Sequence, residues 1–264
     1  MTRPTAIAYR PTDGAVDLDV RLLADVRPVV PEGLVERVQF HMLVAVTEGS
    51  GTHMVDFETV RLEVGDVLWV RPGQIQRWSH DWGFEAVLAL FPEGPPTGGS
   101  GGPLTLRPTP HDFDQLVALL QLALLERSRR RPDEAARTAQ RALRDLVLVT
   151  VGGTDQTPPP ARDSAHRAFV ADLEADLDIR TSIDTRAARV GYSTRTITRG
   201  CRSATGASPK QITDERLGLE ARRLLSLPGA TVGGVARTLG FRDDSNFVTW
   251  FRRLHGVTPG AWRA

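Results

Sequence analysis

The stretch Val235-Ala236-Arg237-Thr238-Leu239-Gly240-Phe241, followed by Ser245-Asn246-Phe247, Phe251-Arg252-Arg253, Gly256-Val257-Thr258-Pro259 and Trp262-Arg263, decides how the chain is read. It spells a short helix, a glycine turn and a longer helix. Ala236 lets the second helix approach closely, Gly240 permits a left-handed turn, and Phe241 staples it. Phe247 and Phe251 lie at i and i+4 and set the inward face of the second helix. Its outward face is then polar: Ser245, Asn246, Thr249, Arg252 and Arg253.

The same pattern occurs earlier. Ala187-Ala188-Arg189-Val190-Gly191-Tyr192 parallels the segment from Ala236 to Phe241, and after one inserted residue the copies run together. Ile197 matches Phe247, Cys201 matches Phe251, Arg202 matches Arg252, Gly206 matches Gly256 and Pro209 matches Pro259. The outward face of the earlier second helix carries Arg195, Thr196, Thr198, Arg199 and Arg202. Two such helices suit DNA, because a helix fits the major groove and residues one turn apart reach neighbouring base edges. Arg195 and Arg199 form such a pair, and arginine binds guanine O6 and N7 with two hydrogen bonds. Asn246 is suited to adenine and Thr249 to a thymine methyl. Arg202, Arg222, Arg223, Arg252 and Arg253 are placed better for phosphate, which fixes register without reading sequence.

Charge follows the same division. From Arg186 onward 14 Arg or Lys residues oppose 5 Asp or Glu, a net of +9, so the remainder carries −8 of the whole-chain +1. A basic segment on an acidic body is the electrostatic footprint expected of a nucleic-acid reader.

Upstream, Val38 to Val46 reads as a strand leading to a turn at Glu48-Gly49-Ser50-Gly51. Short runs follow at Val55 to Leu62, Val67 to Val70, Gln74 to Trp78 and Phe84 to Phe91, punctuated by glycine and proline, which predicts an antiparallel sandwich or barrel. Phe113, Leu116, Val117, Leu120, Leu124 and Leu125 repeat at helical spacing. A second helix, with Pro132 near its start and reaching Leu148, has an apolar face of Ala136, Ala139, Leu143, Leu146 and Val147. This pair suits either a cap on the sheet or a dimer interface. Gly152 to Pro160 reads as a linker. The expected organisation is α+β and multidomain: residues 1–110 a sensing domain, 111–151 a helical pair, 152–163 a linker and 164–264 an all-α domain.

Residues 183–263 resemble the double helix-turn-helix domain of AraC/XylS-type regulators. The matching stretches are those quoted above, together with the linking helix from Ser208-Pro209-Lys210-Gln211-Ile212 through Arg216 and Leu219 to Ala221-Arg222-Arg223-Leu224-Leu225. The resemblance implies base contacts from Arg195, Thr198 and Arg199 and from Ser245, Asn246 and Thr249. It implies double-stranded DNA as partner, control by a small effector, a homodimer, and contact with RNA polymerase. Gly200 and Cys201 stand where the family often has larger apolar residues, which predicts a less rigid first reading helix; a mid-helix glycine costs ~1 kcal/mol relative to alanine.

The N-terminal strands resemble the cupin-type barrel of such regulators through Gly49-Ser50-Gly51-Thr52-His53, Leu62 to Leu68 and Val70 to Gln76. Metal-dependent cupins converge several histidines and a carboxylate on one ion. Here His53 lacks that company: Val55 holds the place of its partner, and Gln76 stands where a later histidine would be. A cupin enzyme fused to a DNA reader, and a protein-interaction module, are the rival readings. For an effector pocket, Trp69, Trp78 and Trp82 offer aromatic walls, and Arg71, Gln74 and Gln76 offer polar groups; the other reading is that the tryptophans fill the core. An inward Arg71 needs an anionic partner.

No nucleophile elbow or phosphate loop is present, the Gly98 to Gly102 run reads as a linker, and neither enzymatic activity nor a cofactor or metal is expected. One cysteine, Cys201, makes no internal disulfide. No apolar run approaches the ~18 residues that span a bilayer, and Met1 to Arg10 lacks the features of a secretory leader. A cytoplasmic protein is expected.

Overall fold

Apolar runs without alternation mark strands covered on both faces, and two of them organise the N-terminal half. A computed structural model describes residues 5–7, 17–29, 35–78, 83–92, 104–127, 133–152, 161–227 and 229–263. They fall into two units, one of residues 2–95 with 102–156 and one of residues 157–264.

In the first unit β4 (His41–Val55) is the spine. Its first half pairs antiparallel with β6 (Val67–Val70) on one side and β8 (Phe84–Phe91) on the other. Beyond them lie β9 (Leu104–Leu106) and β2 (Asp19–Leu22). Its second half pairs antiparallel with β5 (Glu58–Glu63) and β7 (Ile75–Trp78). Next to β7 comes β3 (Val35–Val38), and β1 (Thr5–Ile7) adds to it in parallel. Two sheets therefore share one bent strand, and among the described residues the pairing path does not close into a barrel.

The turn expected at Glu48 to Gly51 is instead the bend in β4. The register against β8 shifts between Val46 and Glu48. Gly49 adopts φ +70°, and a Cβ there would stand 2.1 Å from the Gly83 carbonyl oxygen. A bulge with a left-handed glycine bends a strand without ending it. The hairpin turn comes later, at Asp56 and Phe57, both with positive φ.

Met42, Val44, Val46, Leu68, Val70, Leu88 and Leu90 of one sheet meet Val38, Val55, Leu62 and Trp78 of the other. A short helix, α1 (Leu23–Val26), contributes Leu23 to this interior. The opposite face of the β4–β6–β8 sheet packs on α2 (Pro110–Arg127) and α3 (Asp133–Gly152). There Leu43, Ala45, Val67, Trp69, Val87, Ala89 and Phe91 meet Phe113, Leu116, Leu120, Leu143, Val147 and Val151. Burial on both sides explains the unbroken apolar runs in β4 and β8. The helical pair thus caps the sheet, while Leu122, Leu125, Leu146 and Val149 stay exposed on it. Trp82, Pro132, residues 93–103 and residues 153–160 lie outside the described residues.

The second unit is helical: α4 (Ala161–Ala175), α5 (Ile183–Arg189), α6 (Thr194–Thr205), α7 (Pro209–Ser226), α8 (Val232–Thr238), α9 (Asp244–His255) and α10 (Pro259–Arg263). The repeat is visible in its hydrogen bonds. Tyr192 N donates to Ala187 O as Phe241 N donates to Ala236 O, and Gly206 and Gly256 cap α6 and α9 with left-handed φ. One core holds Ile197, Cys201 and Ala187 against Phe169, Val170 and Leu173 of α4. The other gathers Phe247, Trp250 and Phe251 with Val235, Ala236, Leu239 and α7 residues Leu217, Ala221 and Leu225. Leu177 packs against both.

Gly200 and Cys201 are buried, and α6 runs unbroken through them. Phe169 brings aromatic bulk from α4 to the small Cys201.

Candidate nucleic-acid interface

The reading helices α6 and α9 are each fixed by a cap and a buried stripe. Ser193 accepts from Thr196 N at the start of α6 and Asp243 from Asn246 N at the start of α9, replacing bonds that a helix terminus lacks. Ile197 and Cys201, and in the second copy Phe247 and Phe251, are fully buried. Burial of these stripes fixes which residues face outward.

Arg195, Arg199, Ser245, Asn246 and Thr249 are exposed, and Thr198 is half-buried. Arg195, Arg199 and Arg202 have no ion-pair partner among the described residues. Thr198 donates its hydroxyl to Thr194 O at 2.8 Å, which commits that proton to the helix. Asn246 is held by Asp243: Oδ1 accepts the Asn246 backbone N–H at 2.7 Å and Oδ2 the side-chain Nδ2 at 2.5 Å. The six proposed base readers thus share the outward faces of two equivalent helices, cationic in α6 and neutral in α9.

The phosphate candidates divide. Arg202 and Arg252 are exposed. Arg253 is exposed and lies 3.6 Å from Asp214, a carboxylate that also accepts from Trp250 Nε1. Arg222 is half-buried with its guanidinium 5.5 Å from the Trp262 ring centre. Arg223 requires a correction: it is 3% exposed and paired with Glu220 at 3.3 Å. On α7 it points into the packed side, so it does not stand where a phosphate would pass. Arg237 and Arg242 are exposed beside the second copy, and Arg242 is the one-residue insertion that distinguishes the two turns.

Two further arginines of the basic segment are structural. Arg186 is wholly buried and donates to the Asp172 carboxylate at 3.0 Å, to Asp176 O at 2.6 Å and to Asp178 O at 3.1 Å. It thereby satisfies carbonyls at and beyond the C-terminus of α4, where a helix leaves acceptors open. Arg216 makes a two-pronged contact with the Glu174 carboxylate. The +9 count therefore overstates the charge offered to a partner.

In the N-terminal unit the structure does not bring the proposed pocket residues together. Trp69 faces α2 and α3, donating Nε1 to His41 Nδ1 at 3.2 Å. Alternation along β6 puts it opposite Leu68 and Val70, which face the interior. Arg71 N donates to Gln74 Oε1, and Gln74 Nε2 donates to Asp56. The carboxylate reached by this chain is thus a protein group.

Gln76 and Trp78 do lie together, and with them come two residues absent from the expected pocket. Gln76 Nε2 donates to Glu36 Oε2 at 3.1 Å, so Gln76 Oε1 must accept, and His53 donates from Nε2 at 3.1 Å. That tautomer leaves His53 Nδ1 as a buried acceptor without a partner among the described residues. Trp78 lies edge-on to His53 at 4.3 Å. Burial lowers the His53 pKa to about 4 and raises that of Glu36. His41 is also lowered to about 4, by burial and by the charge of Arg71. Glu36 faces Gln76 across the β3–β7 ladder, a pairing that spacing along the chain does not reveal.

The comparisons with known proteins follow this division. Residues 186–264 match a helix-turn-helix domain family and residues 36–83 an AraC-like ligand binding domain family. The HTH-type transcriptional activator RhaS of Escherichia fergusonii is 24% identical over 255 residues, covering 89% of each chain. The HTH-type transcriptional activator RhaR of Klebsiella pneumoniae is 24% identical, covering 85% of each. The solved structure of ToxT from Vibrio cholerae is similar at 8% identity, covering 94% of this chain and 98% of that one, with a TM-score of 0.43. The chain thus carries a segment matching an AraC-like ligand binding domain, followed by one matching a helix-turn-helix domain.

Proposed function

We propose that this protein regulates transcription by binding a specific DNA sequence with α6 and α9, under the control of a small effector held by the N-terminal unit. The observation that carries the reading is the duplicated pair of helices, each with a buried stripe and an outward face of groups able to reach bases. Arg195 and Arg199 take guanine, Thr198 presents its methyl, and Ser245, Asn246 and Thr249 read the second segment. Arg202, Arg252 and Arg253 hold phosphate, with Arg222, Arg237 and Arg242 beside them.

Footprinting of the full chain on the region upstream of its own gene tests this. Two protected segments about 10 base pairs apart are expected, since two reading helices meet successive major-groove faces. One protected turn, or none, would count against it.

The effector site we favour is the buried cluster of Glu36, Gln76, His53 and Trp78, where polar groups stand in an apolar interior. Ligand binding there shifts the population of DNA-competent forms. A metabolite screen that leaves both DNA affinity and thermal stability unchanged would remove this part. Dimerisation uses the exposed Leu122, Leu125, Leu146 and Val149 of the helical pair, an apolar surface that a second copy would cover. A monomer by light scattering at high concentration would refute it. RNA polymerase is the further partner this reading implies, and the cytoplasm its location.

A further inference from the structure

The two copies differ at the tip of the reading helix. In α6 the cap is neutral: Ser193 Oγ accepts from Thr196 N at 3.1 Å and shares a hydrogen bond with Thr196 Oγ1 at 2.8 Å. The equivalent pair in α9 is Asp243 and Asn246. There one carboxylate oxygen takes the backbone N–H and the other the side-chain amide. A carboxylate is an acceptor only, so the atom it holds is the amide nitrogen, and the flip of the Asn246 carboxamide is fixed. One amide N–H and the carbonyl oxygen remain uncommitted. Those two groups complement the N7 acceptor and N6 amino donor of adenine.

We propose that Asp243 is a positioning residue that makes α9 a reader of adenine. It does this in two ways. It presents the carboxamide in one orientation before DNA arrives, and its negative charge, beside that of Asp244, disfavours the paired acceptors O6 and N7 of guanine. The first copy has the neutral Ser193 where α9 has Asp243, its nearby carboxylate Asp184 is taken by the Thr194 hydroxyl, and its outward face carries Arg195 and Arg199, so the two units select different base edges. The inference rests on the reading of Asn246 as a base contact.

The test is competition binding of the full chain to its selected operator and to duplexes changed at one base pair in the α9 half. Wild type is expected to prefer adenine over guanine at one position by about tenfold, the scale of one good paired contact. Asp243→Ser keeps a cap of the kind Ser193 supplies to α6 but removes the negative charge and the second oxygen that fix the amide, so the preference should fall below about threefold with the unfolding midpoint unchanged. Asn246→Ala should lose the same preference at the same position. A preference retained in Asp243→Ser but lost in Asn246→Ala would overturn the positioning role alone. A preference retained in Asn246→Ala would overturn the base-contact reading and the inference with it.

Discussion

Gly240 and Asp178 meet so closely that a Cβ on the glycine would lie 2.1 Å from Asp178 Oδ1. That carboxylate cannot simply turn away, because the same oxygen accepts the Arg180 backbone N–H at 2.7 Å and Arg180 also grips it by its guanidinium. Beside it, Ile179 N donates to Leu239 O, so the segment after α4 is tied to the second copy's turn. Gly191 has the equivalent left-handed backbone in the first copy but open space where a Cβ would go.

The two glycines should therefore respond differently to alanine. Gly191→Ala is expected to cost about 1 kcal/mol, the penalty for a side chain in the left-handed region. Gly240→Ala adds a steric clash and should cost roughly 2–4 kcal/mol in all. Urea denaturation of the two variants checks this, and equal losses would contradict the close approach.

Arg223 and Arg252 make a second contrast. Arg223→Ala removes a buried ion-pair contact of Glu220 and should destabilise the domain by roughly 3 kcal/mol, with little change in the salt dependence of DNA binding. Arg252→Ala should leave stability alone and lower the salt slope by about 1. Melting curves and binding isotherms at several salt concentrations separate the two effects. A reduced slope in Arg223→Ala with unchanged melting would return that residue to the phosphate set.

The N-terminal unit should weaken in acid. His41 and His53 have folded pKa values of about 4 against an ordinary 6.5, so the unfolded chain binds their protons first. Their contribution is complete above pH 6.5 and is lost as pH falls towards 4. Glu36 acts in the opposite sense, since its raised pKa favours the fold at low pH and that benefit fades as pH rises. His53 alone accounts for about 2 kcal/mol between pH 7 and pH 5. Scanning calorimetry should show the N-terminal transition at lower temperature at pH 5 than at pH 7, and a smaller drop in His53→Gln. An unchanged midpoint would contradict the buried neutral imidazoles.

Much of the second unit was legible in the sequence, because its signals are local: in each copy the glycine turn and the i, i+4 stripe fall within about 25 residues. Arg186, Arg216 and Arg223 were not legible as structural groups, since their partners lie in other turns or on α4, and an arginine's burial is invisible to a charge count. In the first unit the strands were readable from their apolar runs and turns, but their faces were not. A strand covered on both sides carries no alternation, so Trp69 could not be assigned to the helix-facing side. The Glu36–Gln76–His53 chain depends on the register of β3, β7 and β4, which is set by non-local pairing. Glycine serves both a bend and a turn, so the sequence at Glu48 to Gly51 does not distinguish the bend in β4 from a hairpin turn.

The central claim, that α6 and α9 read a specific DNA sequence, is tested most directly by binding of the full chain to its upstream fragment and to a scrambled control across a salt series. Affinity should favour the true fragment, weaken steeply with salt, and lose its preference in Arg199→Ala and in Asn246→Ala. Equal affinity for both fragments under every effector condition, unmoved by either substitution, would contradict the account.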